Sequence, residues 1–246
     1  MMRRSAGCLL ALGATLAVTA HAATDHADVG ATVGLIALKT NEFRAGNQRA
    51  KLAVNRPLSE AAQRFAQFMA STDQYGHQAD ARQPADRARE QGYDYCAIAE
   101  NIAYQFSSAG FTPEELAGRL MQEWEKSPGH RHNMLLPTVL DIGVGVARSP
   151  RTQRWYAVQM FGRQKSAATR FEIANRAEVA VQYELDAQRY TLPPRVSRTH
   201  EGCFSSALTM LWPNGPESPG FEPGNGAHYV VQRDHAGQLR LQARQQ

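Results

Sequence analysis

The sequence predicts an α+β protein that ends in a small β-rich module, and three observations carry that prediction. Apolar residues recur at helical spacing through much of residues 33–126. The period switches to two across residues 140–161, and short strand-like runs separated by polar turns fill residues 169–246. The expected division is therefore a leader at 1–22, a mixed domain at 30–165 and a β-rich module at 169–246. Removing the leader leaves roughly 220 residues, enough for one large domain or one domain with a smaller companion.

The leader reads as a signal peptide. Arg3 and Arg4 precede an apolar run from Cys8 to Ala20, and Ala20-His21-Ala22 places small residues where a signal peptidase reads them. The mature chain is expected to begin near Ala23. An uncleaved anchor is the competing reading, but a membrane span needs about 20 apolar residues. Cys8 stands at the start of the apolar run rather than after it, which argues against a lipid-modified cysteine. No later segment reads as a transmembrane helix, so the expected location is periplasmic or secreted.

Residues 24–30 read as a loose lead-in. Val33, Ile36, Ala37, Thr40 and Phe43 then follow the helical template up to Gly46-Asn47, a C-terminal stop. Residues 49–57 form a connector with Leu52 and Val54 as anchors. Leu58, Ala61, Ala62, Phe65, Ala66, Phe68 and Met69 give the second helix its apolar face. Residues 84–91 suit a short helix with Pro84 at a permissible first position. The latter half of the stretch 93–104 reads as a short buried strand carrying Glu100. Thr112-Pro-Glu-Glu115 is a capping box opening a helix that buries Leu116, Leu120, Met121 and Trp124.

Ser127-Pro-Gly129 reads as the stop of that helix and hands the chain to His130, Arg131, His132 and Asn133. Ile142, Val144 and Val146 alternate with Gly143, Gly145 and Ala147, a strand with a close neighbour across its glycines. Residues 155–161 are the return strand, and 162–169 a linker. Further on, 172–175, 179–186 and 190–192 read as strands, 213–226 as an exposed Pro/Gly-rich loop, and 229–232 with 238–241 as a final hairpin.

The formal charge is +4, and two of those charges belong to the leader. The remaining basic residues are interspersed with acids, so nothing marks a nucleic-acid partner. Past the leader only Cys96 and Cys203 remain. In an oxidising compartment they can form one bridge, worth about 4–5 kcal/mol in the chain-entropy model for so long a loop. Two separate buried thiols are the alternative.

In chain order the sequence shows Asn41-Glu-Phe-Arg44, His77, Gly92-Tyr93, Glu100-Asn-Ile-Ala103, Trp124 with Ser127-Pro-Gly-His-Arg131, Ile142-Gly-Val-Gly145 and Trp155-Tyr-Ala-Val-Gln-Met-Phe-Gly162. This ordered set, spanning residues 33–163, resembles the CAP superfamily (cysteine-rich secretory proteins, antigen 5 and pathogenesis-related proteins), and its bacterial branch fits best. The resemblance implies an α-β-α sandwich with a central antiparallel sheet. It also implies a cleft of two His and two acidic residues, the His pair able to hold a divalent metal such as zinc. His77, Glu100 and His130 carry over. Where eukaryotic relatives have the fourth residue this chain has Ser127; Ser127 and Glu125 are the weaker cleft candidates, and Glu125 or Glu123 could replace the missing acid although neither matches the motif.

Two imidazoles with open positions suit a metal that keeps room for water or ligand. A carboxylate beside them can orient a His or act as a base. Read simply, Glu100 can instead anchor loops, and His77 and His130 can be polar packing residues. His132 is expected to be exposed, and His200, His228 and His235 show no ligand spacing. Asn41, Glu42 and Arg44 are expected to pin the first helix, and Tyr93, Tyr95, Tyr104 and Trp124 to line core and cleft. No serine or cysteine nucleophile and no nucleotide-binding motif present themselves. The expected function is an exported binding module for a lipid-like or cell-envelope ligand. The alternatives are a metal-dependent hydrolase using Glu100 as base on peptide or envelope substrates, and a non-catalytic interaction scaffold. The unmatched fourth position favours binding over turnover.

Overall fold

A computed structural model describes residues 27–244 apart from Ser205 and Asn214, so the expected signal peptide and Cys8 lie outside the described residues. The first helix, α1 (Val29–Gly46), starts earlier than the apolar spacing suggests. Asp28 accepts a hydrogen bond from the Ala31 N–H and caps it, which draws Gly30 into the first turn. Asn47 closes it as expected, its N–H donating to the Phe43 carbonyl.

The connector carries a two-residue strand, β1 (Ala53–Val54). Leu52 is the buried anchor expected there, but Val54 is 68% exposed. Asn55 then caps α2 (Arg56–Thr72), which therefore opens two residues before Leu58 and tolerates Pro57 in its first turn. The short helix α3 (Pro84–Glu90) follows, and β2 (Tyr95–Gln105) takes in all but the first two residues of the stretch whose latter half alone was expected to be extended. The Thr112–Glu115 capping box opens α4 (Pro113–Lys126) as read.

The reading of Ser127-Pro-Gly as a plain helix stop is corrected. Ser127 ends α4 and at once begins α5 (Pro128–Met134), with Pro128 in the first turn, where its missing N–H costs nothing. The segment is a corner between two helices, and His130 sits on the second. The expected hairpin is β3 (Asp141–Arg148) with β4 (Trp155–Gln164).

These strands form a sheet in the order β1-β3-β4-β2, antiparallel except for the short β1. A Cβ at Gly143 would collide with the backbone of Leu58 and Ser59, and one at Gly145 with that of Ala62 and Gln63. The close neighbour expected across the glycines is therefore α2, lying directly on β3. Ile36, Leu120, Trp124 and Phe161 belong to the core on one face, under α1, α4 and α5. Phe65, Met69, Tyr156 and Met160 belong to the core on the other, under α2 and α3. This is the α-β-α sandwich.

A three-residue 3-10 turn (Lys165–Ala167) leads into the C-terminal part. Its strands are β5 (Thr169–Asn175), β6 (Val181–Leu185), β7 (Gln188–Leu192), β8 (Ser197–Gly202), β9 (Leu208–Leu211), β10 (His228–Arg233) and β11 (Leu239–Arg244). They form two sheets, β11-β10-β5-β8 and β7-β6-β9. Phe171, Ile173, Tyr183, Met210 and Val231 are buried in the one core of this region. The sequence reading did not anticipate β8 or β9. Cys96 on β2 is bonded to Cys203 just after β8, across a sequence separation of 107.

Candidate functional site

The strand β2 is an edge of the first sheet, and the candidate site is built across it. Edge carbonyls need partners, and side chains supply them here. Asn133 donates to the Glu100 carbonyl (3.1 Å), and Tyr75 and the Trp124 indole both donate to that of Ile102 (3.1 and 3.2 Å). Asn101 donates to the His130 carbonyl (3.0 Å) and accepts from Asn133 (3.0 Å), clipping α5 against β2. Arg44 fixes the far end of α5, donating to the Met134 and Leu136 carbonyls (2.7 and 3.1 Å). Asn41 exchanges two hydrogen bonds with the Leu52 backbone. Both residues pin α1 as expected, whereas Glu42 is exposed and takes no part.

His77 comes from the loop between α2 and α3, on the opposite face of the sheet. Its Nδ1 lies 2.8 Å from Glu100 Oε1, and its side chain is 48% exposed while that of Glu100 is 1% exposed. A carboxylate that dry needs a cation. The cation is Arg87 on α3, whose Nη2 donates to both Glu100 oxygens (3.0 and 2.7 Å). Arg87 also donates to Asp80 (2.8 Å) and to the His77 and Arg82 carbonyls (3.0 Å each), with its guanidinium 3.6 Å over the Phe65 ring. The sequence reading missed Arg87. Only the fold shows that Arg87 and Ala88 are the buried residues of this seven-residue helix.

Glu100 is thus held by two side chains, Arg87 and His77, rather than by backbone N–H groups. With both oxygens engaged by a guanidinium, it is placed to orient His77. A carboxylate hydrogen-bonded to Nδ1 is the pattern found behind ligating imidazoles, where it leaves Nε2 for the ligand. His130 is half-buried, and its Nδ1 has no hydrogen-bond partner among the described residues. Burial first, and then the charge of His77, lower the His130 pKa below its ordinary value. Around β2, then, Glu100 is seated against His77, and the backbone at His130 is clipped to Asn101, with His130 near enough to feel the charge of His77.

No third ligand completes it. Among the described residues, no group of three or more His, Cys, Asp or Glu is arranged to hold a metal ion. Ser127 is the junction of α4 and α5, its N–H donating to the Glu123 carbonyl. Glu123 accepts from Gln105 at the far end of β2 (2.6 Å). Its charge, after burial, helps push the Tyr75 hydroxyl up to about 12. Glu125 is half-buried on α4 and makes no ion pair or side-chain hydrogen bond among the described residues.

His132 is exposed as expected. Tyr93 and Trp124 are core residues, while Tyr104 is 39% exposed. Tyr75 is 46% and Phe106 56% exposed, and the Tyr75 and Tyr104 rings meet edge to face at 5.1 Å. His200 is part of the C-terminal core wall, its Nε2 2.8 Å from the Tyr183 hydroxyl.

An α-β-α sandwich with an imidazole pair at its sheet edge defines a class of secretory-type domain. The model of the CAP cysteine-rich secretory protein family matches residues 38–161, and the chain belongs to that family. It is 32% identical over 111 residues to the uncharacterized protein YkwD of Bacillus subtilis, a match covering 45% of this chain and 40% of that protein. The chain thus matches less than half the length of that relative. Among solved structures it is similar to an SCP-domain extracellular protein of Bacillus anthracis, with 23% identity and a TM-score of 0.48 over 55% of this chain and 41% of that one. It is also similar to an outer surface protein of Borrelia burgdorferi, with 16% identity and a TM-score of 0.48 over 54% of this chain and 92% of that one.

Proposed function

We propose that this CAP-family chain is an exported binding module in which His77 and His130 hold a divalent, zinc-like cation beside a surface for a lipid-like or cell-envelope ligand. The observation that carries the reading is the Glu100–His77 hydrogen bond with Arg87 behind it, which presets one imidazole for ligation. The partnerless Nδ1 and lowered pKa of His130 fit the same role, since ligation needs a neutral imidazole. A bound cation supplies open coordination positions for an oxygen of water or ligand. Exposed Tyr75 and Tyr104, which meet edge to face, and Phe106 give an apolar surface along the C-terminal end of β2 suited to an acyl chain or ring. Two imidazoles without a third protein ligand, and a carboxylate saturated by Arg87, favour binding over hydrolysis.

Export rests on the leader at residues 1–22, and among the described residues no helix is long and apolar enough to cross a membrane. Zinc calorimetry on the mature chain tests the site. Saturable weak binding is expected, lost in both His77→Ala and His130→Ala. Absent binding, or equal binding in the variants, leaves the scaffold reading. Zinc-dependent cleavage of peptides or muropeptides that the same variants abolish would establish the hydrolase instead. Displacement of a fluorescent fatty acid, weakened in Tyr75→Ala, tests the lipid-like ligand.

A further inference from the structure

The sheet β11-β10-β5-β8 packs one face onto the C-terminal core and leaves the other open. A cavity of about 610 Å³ lies over that open face, within the size range of small-ligand sites. Arg176, after β5, Arg195, in the turn before β8, and Arg244, at the end of β11, all line it. Three arginines from three separate segments thus line one cavity. Nearby Arg233 and Arg240 pair with Glu178 and Asp234, whereas Arg176, Arg195 and Arg244 form no ion pair among the described residues.

Their backbones are nonetheless fixed. The Arg176 N–H donates to the Val231 carbonyl and the Arg195 N–H to the Asn175 carbonyl, each at 2.8 Å. Arg195 is held at φ 61°, in the left-handed region, directly after Pro193-Pro194. The lining also includes Ala174 and buried Val230, and the three arginines are exposed and open to an incoming ligand, with which they can form charge-assisted hydrogen bonds. Glu172 is the one carboxylate in the lining.

We infer that this cavity binds a ligand bearing two or more oxyanion groups, phosphate or carboxylate, through Arg176, Arg195 and Arg244. Planar guanidinium forks match both oxyanions. A single oxyanion would leave part of so large a cavity, and one or more of its arginines, unused. Glu172 sets a limit on ligand charge and accepts a hydroxyl or amine from the same molecule. The inference is independent of the metal reading at His77 and His130.

Calorimetry of the full mature chain at low salt, with pyrophosphate and separately with citrate, tests it. Saturable binding of at least one is expected, with the tighter of the two naming phosphate or carboxylate as the natural group. Arg176→Gln with Arg244→Gln should weaken it at least about ten-fold, while Arg189→Gln, whose partner is Glu184 on the other sheet, should leave it unchanged. Glu172→Gln should tighten it, a gain that a misfolded variant cannot imitate. No saturable binding of either probe overturns the inference. So does equal binding by the double-arginine variant, or weaker binding by Glu172→Gln.

Discussion

The two halves of the chain use their sheets in opposite ways. In the CAP half, helices cover both faces of the sheet, and apolar cores fill both sides. In the C-terminal half two sheets share one core, and an outer face of one remains open. A sheet covered on both faces can present chemistry only at its edges or in the loops, and the His pair is found around the edge strand β2. A sheet covered on one face can present an entire surface, and Arg176, Arg195 and Arg244 line one. Where each half can bind follows from which backbone surface its packing leaves free.

The sharpest test of this contrast is the Cys96–Cys203 bond. It joins the twice-covered half to the half with one modest core. Small cores are marginal, so the bond should matter far more to the second half. Its 107-residue separation corresponds to about 4–5 kcal/mol of unfolded-state constraint in the chain-entropy model. Cys96→Ala with Cys203→Ala should split urea unfolding into two transitions. The early one should be reported by Trp212 and the late one by Trp124. A single shifted transition would show that the halves unfold as one unit, against the division near residue 165.

Next in size is Arg87. Arg87→Met leaves the buried Glu100 carboxylate without its cation, which should cost about 3–5 kcal/mol in urea denaturation. Adding Glu100→Gln should restore much of that loss, because the stranded charge is gone. If the single variant is near neutral, Glu100 is not held by Arg87 in the way its geometry indicates.

Arg87 also marks the limit of what the sequence made legible. Helix faces, the hairpin and the glycine contact were readable because local period and steric need write them directly. His77, Glu100 and His130 were readable through the ordered motifs. The cation behind Glu100 was not, because an arginine on a short helix looks solvated until its fold partner is known. The corner at Ser127-Pro128 misled for a related reason: proline ends one helix and starts another with equal ease. The strand β8 reads Ser-Arg-Thr-His-Glu-Gly, with no alternation of apolar residues to announce it. It is extended because β5 offers it a ladder, in which Phe171 stands opposite His200.

The glycines come next. Gly145→Ala forces a Cβ into the α2 backbone at Ala62 and Gln63, and should cost up to about 3 kcal/mol as helix and strand separate. Gly202→Ala on β8 meets nothing closer than 3.5 Å and should be nearly silent. Thermal melts of the two variants side by side give the difference between a sheet pressed by a helix and a strand at the margin of an open one. Equal losses would remove it.

The smallest expected effect compares one histidine from each half. Burial lowers the pKa of both His130 and His200, aided by the charge of His77 for the first and of Arg198 for the second. In each case the unfolded chain, with a His pKa near about 6.5, binds the proton more readily than the folded one. Stability from each neutral imidazole is therefore present above that value and is lost as pH falls below it toward the lowered folded pKa. Melting temperatures between pH 7.5 and 5 should fall less steeply in His130→Gln and in His200→Gln than in the parent. Zinc should separate them. If His77 and His130 hold the cation, zinc competes with protons at His130, so its stabilisation of the parent weakens as pH falls. It should persist in His200→Gln and vanish in His130→Gln. An identical zinc response in the two variants would detach the metal from the sheet edge.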